Sequence, residues 1–493
     1  MKSIFKQTVF LWMLVPVLFS CATYNNSMSG YYNNLKTQNY SAAQRSIEHN
    51  TLIKKDRNAL LYNLEMGKLY RLQNDPAKSN FFLNRADAIS ESNRKSFKDL
   101  ALGNLLNPMQ QAYRCEDYEK FMMHYYKALN YAVLGQTEDA VVEARRITLA
   151  ENAQGDKFTG KENRFSKDAF GLNLQGMIYE MAGNMNDAFI SYRNAADLYL
   201  KNKNEYYGVK MPPRLVSDLL RTATAMGFAG EKQLYSKIFN SNYLETNTTG
   251  GELILFIEEG QAPIKQEKNF ILTAGPKGIG SFYYTDATGN NSDFNFDYNS
   301  FNIGEDKLTS LKTFRVALPE YRVQYEQPQN LNVSVNGNTY LPQLAQNINI
   351  AAINILKERF PGEMAKALAR QLTKKIAEKG TQAAAESVAK STDKKEDKNA
   401  DEAEKEKQKK TKKEARANQA GEVAGFLMNV VNTATEKADT RNWQSLPAFV
   451  SYVRIPLNAG ENNITVTANG NTITVKAIGG KGLQMMSTVC NEK

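Results

Sequence analysis

Nucleophilic catalysis needs a thiol, hydroxyl or amine with a base held against it. This 493-residue chain offers few such groups, with two histidines, His49 and His124, and three cysteines, Cys21, Cys115 and Cys490. Cys115 and His124 are nine residues apart, a separation that does not bring side chains into contact on one helix. No Gly-x-Ser-x-Gly elbow occurs in the sequence. The glycine-rich pieces Gly275–Gly280 and Gly479–Gly482 lack the Walker spacing and its following Ser or Thr, so turns are expected there. Carboxylate pairs such as Glu258-Glu259 and Asp117 with Glu119 are too common a pattern to define an acid and a base. So few histidines and cysteines also exclude a large His/Cys metal cluster. The expectation is a chain with no catalytic residue, no metal and no cofactor, in which both histidines are satisfied core or surface residues. Cys115 and Cys490 form a candidate disulfide in an oxidising compartment, with two separate buried thiols as the preferred reading.

Cys21 has a different chemistry. Lys2 and Lys6 precede an apolar run from Thr8 to Phe19, broken by Pro16. The run is shorter than the roughly 20 residues that span a bilayer and reads as a secretory signal. Leu18, Ser20 and Cys21 resemble the lipobox of bacterial lipoproteins, with Phe19 where Ala or Ser is more usual. The resemblance implies cleavage between Ser20 and Cys21 and a covalent lipid on the Cys21 thiol. Two or three acyl chains, at about 0.8 kcal/mol per buried CH₂, anchor a protein stably to a membrane. Ala22–Ser29 contains no acidic residue. By similarity to known sorting signals, this points to the periplasmic face of the outer membrane.

Internal repeats follow the lipobox. Gly176, Tyr179, Ala188, Tyr192 and Ala195 recur as Ala128, Tyr131, Ala140, Ala144 and Ile147, and again as Gly67, Tyr70, Ser79, Leu83 and Ala86. Each set describes two helices. A small residue and an aromatic share a face of the first, and small, bulky and small residues share a face of the second. Turn residues separate them at Gly183-Asn184, Gly135-Gln136 and Asn74-Asp75-Pro76. Further pairs are expected at Tyr31–His49 and Leu215–Phe239. The pattern resembles the tetratricopeptide repeat, although Leu172, His124 and Asn63 occupy the usual Trp position and the repeats begin 61 and 48 residues apart. That resemblance implies a helical scaffold whose concave face docks partners. The tyrosines Tyr113, Tyr118, Tyr125, Tyr126 and Tyr131 are expected to be core.

Beyond Thr248 the pattern becomes β. Glycine-bounded Glu252–Glu259, then Phe270–Leu272, Ser281–Tyr284, Thr313–Leu318, Arg322–Tyr325 and Leu331–Val335 read as strands. Phe449–Ile455, Ile464–Thr467 and Thr472–Val475 follow near the end. Asn336-Gly337 and Asn469-Gly470 are hairpin signals. Between the β stretches, Ile348–Leu356 and Met364–Ile376 read as helix, with Val423–Val431 as a packing partner. Lys390–Arg416 holds 19 charged residues, 11 basic and 8 acidic, and cannot form a core. The expected class is α+β: a tetratricopeptide-like helical array followed by a β-rich, sandwich-like module interrupted by a helical, charged insertion. The expected divisions are a signal peptide at 1–20, an acylated tether at 21–30 and helical repeats at 31–245. The β module follows at 250–345 and 440–490, with the insertion at 346–436 and its charged linker at 390–416.

The net charge of +10 suggests nucleic acid at first sight. Cleavage removes Lys2 and Lys6, the charged linker holds a further excess, and its interleaved signs lack aromatic residues for base stacking. Nucleic acid is therefore not an expected partner. The order of lipobox, helical repeats, the Glu252–Glu259 strand, Ala262-Pro263-Ile264-Lys265 and Trp443-Gln444-Ser445-Leu446-Pro447 resembles an uncharacterised family of bacterial repeat lipoproteins. The reading is a non-enzymatic, membrane-anchored scaffold that docks other cell-envelope proteins in envelope assembly, cell-wall work or secretion. The alternative is an enzyme or glycan binder acting on an envelope polymer.

Overall fold

A computed structural model describes residues 24–96, 107–155, 167–241, 250–274, 280–285, 291–301, 313–392, 437–480 and 482–490. Ser20, Cys21, most of the charged linker and Val423–Val431 lie outside the described residues. The α+β class is as expected, with helices first and sheets after them. Among the described residues, ten helices form five hairpins: α1 (Tyr24–Lys36) with α2 (Tyr40–His49), α3 (Ala59–Leu72) with α4 (Pro76–Ser96), α5 (Asp117–Val133) with α6 (Thr137–Gly155), α7 (Ala169–Met181) with α8 (Met185–Lys201), and α9 (Pro213–Ala225) with α10 (Ala229–Phe239). Each hairpin packs on the next.

All five hairpins turn in the same way. Gln38, Asn74, Gly135, Gly183 and Gly227 end the first helices with positive φ. The N–H of the following residue then bonds the carbonyl five positions back: Asn39 to Asn34, Asp75 to Tyr70, Gln136 to Tyr131, Asn184 to Tyr179 and Phe228 to Ala223, at 2.8–2.9 Å. This is the Schellman arrangement, which satisfies carbonyls that the helix end leaves open. Within the hairpins, the small residues serve as close-approach points. A Cβ on Gly67 would lie 2.5 Å from Leu83, and one on Gly176 2.5 Å from the Tyr192 ring. Ala86, Ala128, Ala140, Ala188 and Ala195 are buried in the same interiors, and Tyr179 is buried while Tyr70 and Tyr131 are half-buried. Tyr113, Tyr118, Tyr125 and Tyr126 are fully buried, as expected of core residues.

The array begins earlier than expected. Tyr24 is already helical and fully buried, so residues 24–30 belong to the folded body and not to a tether.

The strands are β1 (Glu205–Tyr206), β2 (Val209–Lys210), β3 (Glu252–Glu259), β4 (Ile264–Ala274), β5 (Ser281–Thr285), β6 (Asn291–Asn295), β7 (Thr313–Arg322), β8 (Leu331–Val335), β9 (Asn338–Tyr340), β10 (Gln343–Asn347), β11 (Phe449–Pro456), β12 (Gly460–Ala468), β13 (Asn471–Gly479) and β14 (Leu483–Cys490). Among the described residues, the small β1–β2 ribbon is followed by three four-stranded sheets, ordered β10-β11-β3-β14, β13-β12-β8-β9 and β6-β5-β4-β7. The two distant β stretches do join: β11 runs antiparallel to β3 from Phe449↔Glu259 to Pro456↔Glu252, and β12 pairs β8. Both Asn-Gly turns close hairpins, with positive φ at Asn336, Gly337, Asn469 and Gly470.

The strand expected at Arg322–Tyr325 is not formed; β7 ends at Arg322. The following residues cross the end of β3 instead, where a Cβ on Gly260 would lie 2.7 Å from the Tyr325 ring. The two expected insertion helices are one, α11 (Ile348–Thr392), continuous through Pro361.

Strand alternation assigns β3 to two cores. Leu253, Leu255 and Ile257 pack into the sandwich with Val333, Ile455, Ile464 and Val466, while Ile254 and Phe256 join the core of the helices. Trp443 and the first turns of α11 belong to that helical core as well. Met364, Ala367, Leu368 and Leu372 of α11 cover the third sheet through Phe270, Leu272, Phe282, Val316 and Leu318. Helical array and β module therefore share one core, which the expected division into separate regions did not anticipate.

The hairpin geometry predicts a contrast between two glycines. Gly176→Ala forces a methyl into the buried Tyr192 ring and should cost about 1–3 kcal/mol, whereas Gly183→Asn, which keeps an αL-tolerant residue in open space, should cost well under that. Urea denaturation of the two variants checks the order.

Candidate functional site

The first helices of the five hairpins turn one face toward the sheet β10-β11-β3-β14. That face carries a concentration of buried ionisable groups: Glu65 and Lys68 on α3, Glu116 and Glu119 at α5, Glu180 on α7 and Asp218 on α9. The opposite side of the seam is supplied by β3, β11 and the buried, non-helical segment Ala438–Ala448 that leads into β11.

The segment is bound much as an extended peptide would be. The Arg441 guanidinium is 1% exposed. It donates to Asn58 Oδ1 at 2.7 Å and to the carbonyls of Gln111 and Pro108 at 3.0 and 3.1 Å, and pairs with Asp439 at 2.6 Å. Trp443 N donates to Glu119 Oε1 at 2.7 Å, its indole N–H donates to Ser445 Oγ at 2.9 Å, and its ring meets Tyr126 edge-on. Asn442 and Gln444 bind the Pro263 carbonyl and Asn25.

Two ion networks flank the segment. Lys68 pairs with Glu258 of β3 and donates to Tyr126 Oη at 2.8 Å, while Tyr125 and Tyr126 donate to the same carboxylate. Burial pulls the Lys68 ammonium below the usual lysine range. Lys68 and Glu258 line a small cleft with Leu35, Gln261, Ser445 and Pro447. At the other end, Arg454 of β11 meets Glu180 at 2.5 Å and Asp218 at 3.1 Å, and also pairs with Glu252. Arg221 and Arg214 complete a balance of three cations against three carboxylates.

The carboxyls of the seam are displaced in opposite directions. Burial, reinforced by the Glu116 charge, raises Glu119 to about 7. Burial likewise raises Glu65, which accepts from Tyr32 at 2.8 Å, to about 7. Burial raises Asp168 to about 6, although it caps α7 through the Phe170 and Gly171 amides and binds Gln346. For Glu116 burial is outweighed by Arg359 and Lys265, each at 2.7 Å, which hold it at about 2.

Outside the seam, Asp87, His124 and Glu143 place three ligand atoms within 4.8 Å of one another. The chemistry of that group does not suit a resident metal. Lys127 Nζ already bridges Asp87 at 2.7 Å and Glu143 at 2.9 Å, Arg146 pairs with Asp87, and His124 Nδ1 lies 2.8 Å from Glu143. The lysine ammonium fills the cation's place. His49 bonds the Arg45 carbonyl at 2.8 Å on its own helix.

The residues that the sequence pattern singles out fall into three groups once placed. The repeat residues lie inside the hairpins and hold them together. Cys115 and Cys490 are both free and buried in different cores, so the candidate disulfide is not formed. Ser20 and Cys21 lie outside the described residues. The Trp443 motif and the strand containing Arg454 stand out in the sequence, but Lys68 and Arg441 carry no signal of their role there, and Glu119, visible beside Asp117, gives none of its bond to the Trp443 amide. Glu258 was visible beside Glu259; strand alternation sends Glu258 to Lys68, while Glu259 accepts from Gln329 N at 2.7 Å.

The raised carboxyls fix the sign of a pH dependence. Glu65 and Glu119 keep a proton to about pH 7 when folded, against an ordinary value of 4.5. The folded state binds more protons over that interval, so their stabilisation is complete below pH 4.5 and is lost as pH rises through 7, by on the order of 3 kcal/mol per group. Urea midpoints should fall from about pH 5 to about pH 8, and Glu119→Gln should shrink that fall; an unchanged difference would count against the assignment. Comparison of the chain with protein-family models, curated proteins and solved structures found no match.

Proposed function

We propose that this protein is an acylated, non-enzymatic scaffold of the bacterial cell envelope, anchored through Cys21 at the periplasmic face of the outer membrane, that docks other envelope proteins. The observation that carries the reading is a ladder of exposed apolar side chains on the outer helices. Phe81, Val142, Ile190 and Leu234 are 56%, 44%, 36% and 53% exposed, and each is the sixth residue of its helix, α4, α6, α8 and α10. Repetition at equivalent positions of successive hairpins aligns these side chains along one face, and exposed apolar surface of that kind suits a protein partner.

The five hairpins with their shared turn support the likeness to tetratricopeptide repeats, as does the packing of Gly67 and Gly176 against the second helix. The docking face differs from what that likeness implies. The inner face is covered by the chain's own β3, β11 and Ala438–Ala448, so partner binding moves to the outer helices. A scaffold role also fits the seam, where Glu119, Glu258 and Glu180 are each engaged by Trp443, Lys68 and Arg454 and serve to hold the two halves together.

Radiolabelled palmitate should mark the wild-type protein and not Cys21→Ser; label on the variant, or none on the wild type, would sink the anchor. A photoreactive residue in place of Val142 should crosslink a discrete envelope protein in cells, and the combined changes Phe81→Ser and Ile190→Ser should abolish that product with circular dichroism unchanged. Turnover of purified peptidoglycan or polysaccharide by the mature protein would overturn the non-enzymatic reading.

A further inference from the structure

An anchor at Cys21 would be followed by almost no slack. Tyr24 opens α1 and is fully buried, with its hydroxyl 2.8 Å from that of Tyr32. Asn25 donates to the Lys265 carbonyl at 2.9 Å and accepts from Gln444 at 2.7 Å. The first helix is therefore locked into the body from its first turn. Three peptide units separate Cys21 from Tyr24, which span at most about 11 Å. An acylated cysteine would bring the head of α1 to the headgroups instead of suspending the body on a string.

The surface beside that end is built and basic. Ser27 is gripped by Asn50, whose Nδ2 donates to the Ser27 carbonyl at 2.7 Å and meets its hydroxyl at 3.0 Å. Asn50 Oδ1 also accepts from the amides of Leu52 and Ile53, at 2.9 and 3.1 Å, which fixes the loop that follows. That loop exposes Lys54 and Lys55, and with Arg57 it sets three cations against Asp56. Juxtamembrane lysines are attracted to anionic headgroups over about a Debye length.

We infer that the end of the first hairpin, marked by Ser27, Lys54 and Lys55, rests on the lipid surface, and that the opposite end of the helices, where the α3–α4 turn lies, is held off it. This rests on the proposed acylation of Cys21. Antiparallel pairing puts the heads of the first helices at one edge of the array and the hairpin turns at the other, about 20 Å away over the 14 residues of α3.

The test supplies the anchor chemically, so that it stands apart from whether a cell acylates the protein. The mature chain is coupled through Cys21 to a maleimide lipid in vesicles of phosphatidylcholine and phosphatidylglycerol; Cys115 and Cys490 are buried and do not compete. Benzoylphenylalanine replaces Lys54 in one sample and the exposed Lys78, beside the α3–α4 turn, in another, and both are illuminated. Lipid adducts should form at position 54 and fall to background at position 78. Equal yields at the two positions, or no adduct at 54, would overturn the inference. A failed palmitate experiment with this result intact would sink the cellular anchor and leave the orientation in place.

Discussion

The structure depends on the pairing of buried charge across one seam. The first helices of the array carry Lys68, Glu180 and Asp218 on the face they turn inward, and an isolated charge in such a place costs several kcal/mol. Their counterparts lie about 200 residues or more away in sequence: Glu258 on β3 and Arg454 on β11. The helices therefore require the sheet. The sheet in turn needs the helices, because the Ile254 and Phe256 face of β3 would otherwise be open to water.

This mutual requirement explains the order of the chain. β3 is formed before α11 and the charged linker, yet its antiparallel neighbour β11 comes after them. The seam can close only when Ala438–Ala448 has been laid between the helices and the sheet. Arg441 and Trp443 are the fixed points of that segment, one binding the carbonyls of Pro108 and Gln111 and the other Glu119. With the inner face so occupied, the exposed apolar side chains repeat on the second helices.

Much of the local architecture was legible. Gly135, Gly183 and Asn74 announced helix turns because few residues adopt positive φ without cost, and the two Asn-Gly pairs announced hairpins for the same reason. Gln38 gave no such signal; its turn is imposed by the packing of α1 on α2 and not by its own preference. The break expected around Pro361 did not occur, since α11 is covered on both sides of it by α5 and the third sheet. Arg322–Tyr325 had strand-like residues, but β7 ends at Arg322 and no strand among the described residues pairs with Val323–Tyr325.

The class of each segment was written into the chain, because helix and strand periodicity, turn chemistry and the composition of the charged linker act over a few residues at a time. So were the Cys21 motif and the small-residue spacing that lets helices approach closely. Folding in three dimensions settled the rest: which buried charges meet, that Cys115 and Cys490 stay apart, and that Lys127 occupies the space between Asp87 and Glu143. It also filled the inner face of the array with the protein's own chain. Those outcomes depend on contacts between residues far apart in sequence, and the energy of a buried charge is set by the partner it meets.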